Sequence, residues 1–78
     1  MMNIKNKKIW IIGASSGIGA ALASELSHRG AKLILSARRK EELDRISSGF
    51  SSHPVIAPAD VSDLQSLKII SQEHGPFD

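Results

Sequence analysis

The sequence predicts an α/β protein: the N-terminal half of a doubly wound parallel sheet, with elements in the order β-α-β-α-β-α. Apolar runs at residues 7–12 and 32–36 are continuous rather than alternating, as in strands that are buried on both faces of a parallel sheet. A segment with helical spacing separates the two runs, and the joints are short. Such a crossover is parallel and almost always right-handed.

The first strand and the first helix flank a glycine-rich turn. Residues 7–12 form the strand, in which we expect Trp10 to be a packed side chain. Helix-forming residues then run from residue 16 or 17 to residue 29, and Gly30 stands where a left-handed residue would end the helix. One apolar stripe is expected to face the sheet: Ile18, Ala21, Leu22 and Leu26.

The next three elements are shorter. Residues 32–36 form the second strand, and residues 40–47 form a polar helix with Leu43 and Ile46 facing inward. A third strand over residues 55–57 is bounded by two prolines. Because proline fits poorly inside a central strand, we place this strand at a sheet edge.

The last helix is predicted to open at Ser62. Ser62 and Gln65 have the spacing of a capping box, in which a serine is followed three residues later by glutamine. Gly75 and Pro76 end the helix. Its apolar stripe is expected to contain Leu64, Leu67 and Ile70.

These elements correspond to half of a Rossmann-like sheet. In the usual strand order 3-2-1-4-5-6 the first strand is central and the third lies at an edge. Residues 1–78 would then be a partial dinucleotide-binding domain that stops before the fourth strand. Alone, the chain would leave one edge of its first strand unpaired, so we expect self-association through that edge, aggregation or partial disorder.

A turn containing three glycines joins the first strand to the first helix. Gly13 can turn sharply off the strand, Gly17 lets a pyrophosphate approach the backbone, and Gly19 lets the helix pack closely. The turn leads into a helix N-terminus, where free amides and the helix dipole favour phosphate. The spacing G-x-x-x-G-x-G differs from both G-x-G-x-x-G and the P-loop. An ordinary strand-to-helix loop is the alternative.

The whole string Gly-Ala-Ser-Ser-Gly-Ile-Gly resembles the cofactor turn of the short-chain dehydrogenase/reductase family. A departure is Ile12, where that family often has threonine. The resemblance implies a bound dinucleotide cofactor. The residues of the turn that it assigns to cofactor binding are Gly13, Ser15, Ser16, Gly17, Ile18 and Gly19.

The residues after the second strand predict which dinucleotide binds. An acidic residue there favours NAD through the ribose 2′-hydroxyl, whereas an arginine nearby accommodates the 2′-phosphate of NADP. By resemblance Ala37 takes the acidic position, and Arg38 and Arg39 follow it. We therefore expect NADP rather than NAD. The alternative is a solvated basic start of a helix.

The family also has an Asp-Val pair after the third strand, which holds the adenine. Asp60 and Val61 match that pair. The resemblance implies that the carboxylate lies near the exocyclic amine and the valine backbone near the ring. A plain loop aspartate before a helix is the alternative.

The family's catalytic residues are not found in this sequence. They are a serine, a tyrosine and a lysine four residues after the tyrosine, and this chain contains no tyrosine. Residues 75–78 look like the start of the family's fourth strand, so the resemblance covers about the first third of its domain. It implies that the complete protein transfers hydride between NADP(H) and an alcohol or carbonyl, and that this chain alone is inactive. A non-catalytic nucleotide-binding or regulatory module, or a non-functional truncated product, remains open.

The composition argues against nucleic-acid binding, metal binding and membrane insertion. A net charge of +2 is too small to indicate nucleic-acid binding. There is no cysteine, and the three histidines lack the spacing of metal ligands, so no metal is predicted. The apolar run at residues 9–12 is far too short for a signal peptide or membrane span. We expect a cytoplasmic protein with no membrane partner.

Overall fold

The computed structural model describes residues 4–15 and 17–78, and it confirms the predicted α/β fold and element order. The elements are β1 (Lys8–Ile12), α1 (Gly17–His28), β2 (Lys32–Ser36), α2 (Lys40–Ser47), β3 (Val55–Ile56) and α3 (Leu64–His74). Most bounds lie within a residue or two of those predicted. Differences of this size are ordinary at element ends.

The three strands form one parallel sheet in the order β1-β2-β3. Lys8 pairs with Lys32 at one end of β1 and Ile12 with Ser36 at the other, and β3 pairs with β2 from Ile34 onward. The predicted edge position of β3 is therefore confirmed. Its ladder continues beyond the strand, because the Ala57 amide donates to the Leu35 carbonyl at 2.9 Å. Within the described residues β1 occupies the other edge.

Two apolar clusters cover the two faces of the sheet. Leu33 and Leu35 of β2 pack with Leu43 of α2 on one face, and Ile34 packs with Ile70 of α3 on the other. This arrangement follows from strand geometry, since successive side chains point to opposite faces. The prediction that Leu43 faces inward is confirmed, because this side chain is fully buried.

The predicted apolar stripe of α1 is wrong at three of its four residues. Ile18 is 89% exposed, and Ala21 and Leu22 are also exposed. The inward face contains Ala23 and Ser27, four residues apart, with Leu26 packed partly beside them. Small side chains let the helix approach the sheet closely, whereas the sequence stripe gave weight to the larger apolar residues.

The predicted capping box of α3 is also wrong. The N-cap is Asp63, whose Oδ1 accepts a hydrogen bond from the Gln65 amide at 3.0 Å. Ser62 instead donates through its amide and its hydroxyl to Asp60 Oδ1, at 2.9 and 2.7 Å. The helix therefore begins at Leu64, which is 79% exposed and takes no part in the core. The stripe is confirmed only at its two later members.

Candidate functional site

The glycine turn is held against the end of β2. Gly13 has a φ of +80°, a left-handed conformation that favours glycine, so the chain turns sharply off β1 as predicted. The amides of Gly13 and Ala14 both donate to the carbonyl oxygen of Ser36, at 2.8 and 3.1 Å. Ala14 is fully buried beneath the turn. The turn is therefore fixed by backbone bonds and by an apolar anchor.

The other two described glycines of the turn have different surroundings. A Cβ on Gly19 would lie 2.4 Å from the Gly13 carbonyl oxygen, so only glycine lets α1 begin this close to the turn. A Cβ on Gly17 would meet no atom of the described chain within 4 Å. This open space at the first residue of α1 is compatible with close approach of a ligand. Ser16, which we also predicted to bind cofactor, lies outside the described residues.

A cavity of about 280 Å³ lies beside the turn, at the carboxyl ends of the strands. Its lining joins three segments that are distant in sequence: the turn, the residues after β2 and the residues after β3. Among the described residues, the lining consists of Gly13, Ser15, Ala37, Arg38, Arg39 and Val61. Five of these six are residues that we predicted to bind cofactor, and the sixth is the predicted replacement for the acidic residue. Gly17, Gly19, Ile18 and Asp60 do not line it.

Two cations at this cavity have no ion-pair partner. Neither Arg38 nor Arg39 lies within 4.0 Å of a carboxylate, and the structure describes every Asp and Glu of the sequence. By contrast, Lys40 pairs with Asp44 at 2.8 Å in the adjoining helix, and Arg45 pairs with Glu42. Both cavity arginines are exposed, and the residue before them, Ala37, is buried and uncharged. The cavity is thus suited to an anion.

Asp60 borders the site rather than lining it. The hydroxyl and the amide of Ser62 both donate to its carboxylate, and they lower its pKa from the ordinary value of 3.8; Arg38 contributes a smaller effect in the same direction. The carboxylate is therefore ionised at neutral pH. Only Oδ1 takes part in these bonds, so Oδ2 has no hydrogen bond to the described residues. Its role toward adenine stays a prediction.

Sequence reasoning missed Ser36 as part of the site. This residue ends β2, is fully buried, and receives the two turn amides on its carbonyl oxygen. A signal was present, since Ser36 is a polar residue that closes a buried apolar run. Because buried hydroxyls normally have a hydrogen-bond partner, a serine at this position predicts a partner on a neighbouring strand.

Two other features, a metal-ligand cluster and a membrane-spanning helix, are absent from the described residues. These residues contain no group of three or more His, Asp or Glu side chains that could hold a metal ion. None of the helices in this part of the chain is long and apolar enough to cross a membrane.

Known proteins similar to this chain in sequence include oxidoreductases and dehydrogenases/reductases. The family model described as short chain dehydrogenase matches residues 7–75. An uncharacterised oxidoreductase of Listeria monocytogenes is 47% identical over 70 residues, which cover 86% of this chain and 28% of that protein. The dehydrogenase/reductase SDR family member 7 of Mus musculus is 38% identical over 81 residues, covering 90% of this chain and 24% of that protein.

Solved structures share the fold. L-Sorbose reductase from Gluconobacter frateurii, complexed with NADPH and L-sorbose, matches with a TM-score of 0.78 at 25% identity, covering 99% of this chain and 33% of that one. A short chain dehydrogenase/reductase from Burkholderia phymatum, in complex with NAD, matches with a TM-score of 0.85 at 25% identity, covering 95% and 27%. The chain therefore spans a third or less of the length of these relatives. The two structures hold different dinucleotides, so the likeness does not choose between them.

Proposed function

This chain belongs to the short-chain dehydrogenase family, and we propose that it is the NADP-binding portion of an oxidoreductase of that family. The complete protein would transfer hydride between NADP(H) and an alcohol or carbonyl compound. The nicotinamide supplies the hydride chemistry, and the protein binds and orients it. The residues of this chain would provide the phosphate and adenosine contacts. The acid–base residues would be supplied by sequence that follows.

The observation that carries the proposal is the cavity at the carboxyl ends of the strands. In open α/β sheets, ligands bind in the crevice outside these ends. Here the crevice is bounded by the glycine turn on one side and by Arg38 and Arg39 on another. The pyrophosphate would lie at the start of α1, above Gly17, where the amides of the first helical turn lack intrahelical partners.

Arg38 supports NADP as the dinucleotide. A 2′-phosphate beside it would meet a guanidinium that has no carboxylate within 4.0 Å, and the preceding residue is alanine rather than an acid. Arginine holds phosphate by paired, charge-assisted hydrogen bonds. Such a bond contributes about 1.5–3 kcal/mol, which corresponds to roughly a ten- to a hundredfold preference for NADP over NAD.

The experiment is calorimetric titration of the complete gene product with NADP and with NAD. We expect NADP to bind more tightly, and Arg38→Ala to weaken NADP binding by about tenfold or more while leaving NAD binding little changed. Arg29→Ala is the matched control, since Arg29 follows the far end of α1 and pairs with Glu25. Equal affinities for the two cofactors in wild type, or equal losses for both in Arg38→Ala, would contradict the assignment.

The end of the described chain supports the proposal that a fourth strand follows. The Asp78 amide donates to the Lys8 carbonyl at 2.8 Å, and the Lys8 amide donates to Asp78 Oδ2 at 2.8 Å. Phe77 stacks on Trp10 with ring centroids 5.4 Å apart. The chain thus returns to the edge of β1 that β2 does not occupy. We propose that residues 1–78 are a partial domain whose next strand pairs there.

A further inference from the structure

Ser36 makes four contacts that join all three strands. Its carbonyl oxygen accepts from the amides of Gly13 and Ala14, at 2.8 and 3.1 Å. Its hydroxyl accepts from Trp10 Nε1 at 2.8 Å and donates to the Ala57 carbonyl at 2.7 Å. Trp10 belongs to β1, Ser36 to β2, and Ala57 follows β3. A chain of hydrogen bonds therefore runs from β1 through the end of β2 to the residue after β3.

Each contact lies next to a segment that lines or borders the cavity. Gly13 opens the glycine turn, and Ser36 itself precedes Ala37 and Arg38. On the third side, Ala57 leads to Ala59, whose amide donates to the Ala37 carbonyl at 2.9 Å, and then to the Asp-Val pair. Moving Ser36 would consequently move three walls of the cavity relative to one another.

Burial alone does not explain these contacts. Ser27 of α1 is also buried, at 2% exposure, yet its Oγ has no hydrogen-bond partner among the described residues. The hydroxyl of Ser36 has a donor and an acceptor, both supplied by neighbouring strands. Removing it would leave the indole N–H of Trp10 and a buried carbonyl unsatisfied, which is the costly way to lose a hydrogen bond.

We infer that Ser36 is a positioning residue of the cofactor site, which fixes the glycine turn and the end of β3 relative to the Arg38 segment. This inference rests on the proposed function, because it concerns the same cavity. Ser36 is buried, so it acts through its neighbours and touches no ligand itself. Preorganised binding groups need supporting contacts of this kind, since small displacements of a site weaken binding strongly.

The test compares Ser36→Ala with Ser27→Ala in the complete gene product, under conditions where circular dichroism shows both variants folded. We expect Ser36→Ala to weaken NADP binding by about tenfold, because the half-buried Trp10 indole and the buried Ala57 carbonyl both lose a hydrogen bond. Ser27→Ala, which removes an equally buried but unpartnered hydroxyl, should bind within about twofold of wild type. The NMR signal of the Trp10 indole N–H should shift in Ser36→Ala alone. Wild-type affinity in folded Ser36→Ala would overturn the inference.

A second variant and a second measurement cover other outcomes. If Ser36→Ala does not fold, Trp10→Phe removes one bond of the chain and keeps the aromatic packing; we expect about threefold weaker binding, and unchanged binding would overturn the inference.

If wild type binds neither NADP nor NAD, the proposed function fails. Hydrogen exchange then decides the positioning role: the Ala14 and Ala59 amides should lose protection by about tenfold in Ser36→Ala and keep it in Ser27→Ala. Equal protection in both variants would refute it.

Discussion

At the scale of single residues, we assign Gly17 a role in ligand binding and Gly19 a role in the stability of the fold. A Cβ on Gly19 would collide with the Gly13 carbonyl oxygen, whereas a Cβ on Gly17 would point into open space. We expect Gly19→Ala to lower the free energy of unfolding by about 1–3 kcal/mol, the usual range for overpacking. Gly17→Ala should leave stability nearly unchanged, because the added Cβ meets no described atom and the full helix-propensity gain of alanine applies only inside a helix, whereas Gly17 is the first residue of α1.

For ligand binding, the variant expected to have the effect is Gly17→Ala. Gly17→Ala should weaken NADP binding, because the added methyl group would lie where we place the pyrophosphate. Urea denaturation and calorimetric titration of both variants provide the two measurements. If Gly17→Ala binds NADP normally, or if Gly19→Ala is as stable as wild type, the roles assigned to these glycines are wrong.

Asp60 gives a residue-scale prediction about pH. Hydrogen bonds from Ser62 lower the pKa of its carboxyl from 3.8 in the folded state. A group with a depressed folded pKa stabilises the protein above its unfolded pKa, and this contribution is lost as the pH falls through the folded value. Carboxyl ¹³C titration should therefore show a midpoint below 3.8 in wild type and a higher midpoint in Ser62→Ala. Identical midpoints would contradict the role of Ser62.

At the scale of elements, the start of α3 depends on Asp63 rather than on Ser62. Asp63→Ala removes the side-chain acceptor of the Gln65 amide, and we expect a loss of about 0.5–2 kcal/mol, the usual value for an N-cap. Ser62→Ala, the matched control one residue earlier, removes only the exposed hydroxyl bond to Asp60, keeps the backbone amide bond, and should have a smaller effect. Thermal unfolding measures both. A larger loss in Ser62→Ala would restore the capping box that the sequence predicts.

The elements themselves were predictable from the sequence, but the faces of the helices were less so. Apolar runs and flanking prolines located β1, β2 and β3, because strand burial depends on composition over several residues. In α1 the inward face is set by close packing of Ala23 and Ser27 on the sheet, a three-dimensional property that hydrophobicity does not report. The sequence predicts Ser62 as the cap of α3, but Ser62 donates to Asp60 instead, a local contact that the capping-box spacing does not report.

The site was predictable where it is local in sequence. The glycine turn was located from its spacing and the arginines from their position after β2, and one cavity is lined by residues of both segments. Their roles in cofactor binding stay predictions. Ser36 was missed because its partners come from β1, the glycine turn and the residue after β3, and contacts across a sheet are not visible in one sequence.

At the scale of the whole molecule, the edge of β1 is the part of the surface that we expect to cause self-association. Ile12 is 45% exposed beside an apolar groove lined by Trp10, Leu64 and Leu67, and edge strands with apolar side chains invite pairing with another chain. We expect the isolated 78-residue chain to self-associate through this edge.

Lysine substitutions at the two edges of the sheet test this expectation. Ile12→Lys should reduce self-association, because charge on an edge strand opposes pairing. Val55→Lys is the control, since Val55 is similarly exposed but belongs to a two-residue strand that is too short to act as a template. Sedimentation velocity over a concentration series measures the effect. A wild-type chain that is monomeric and unfolds cooperatively would contradict the expectation.

The central claim is that the glycine turn and Arg38 bind one NADP molecule between them. A crystal structure of the complete gene product grown with NADP tests it most directly. We predict the pyrophosphate at the start of α1, above Gly17, and a 2′-phosphate oxygen about 2.7–2.9 Å from the Arg38 guanidinium. A dinucleotide whose 2′-phosphate lies away from Arg38, or whose pyrophosphate does not contact the turn, would contradict the account.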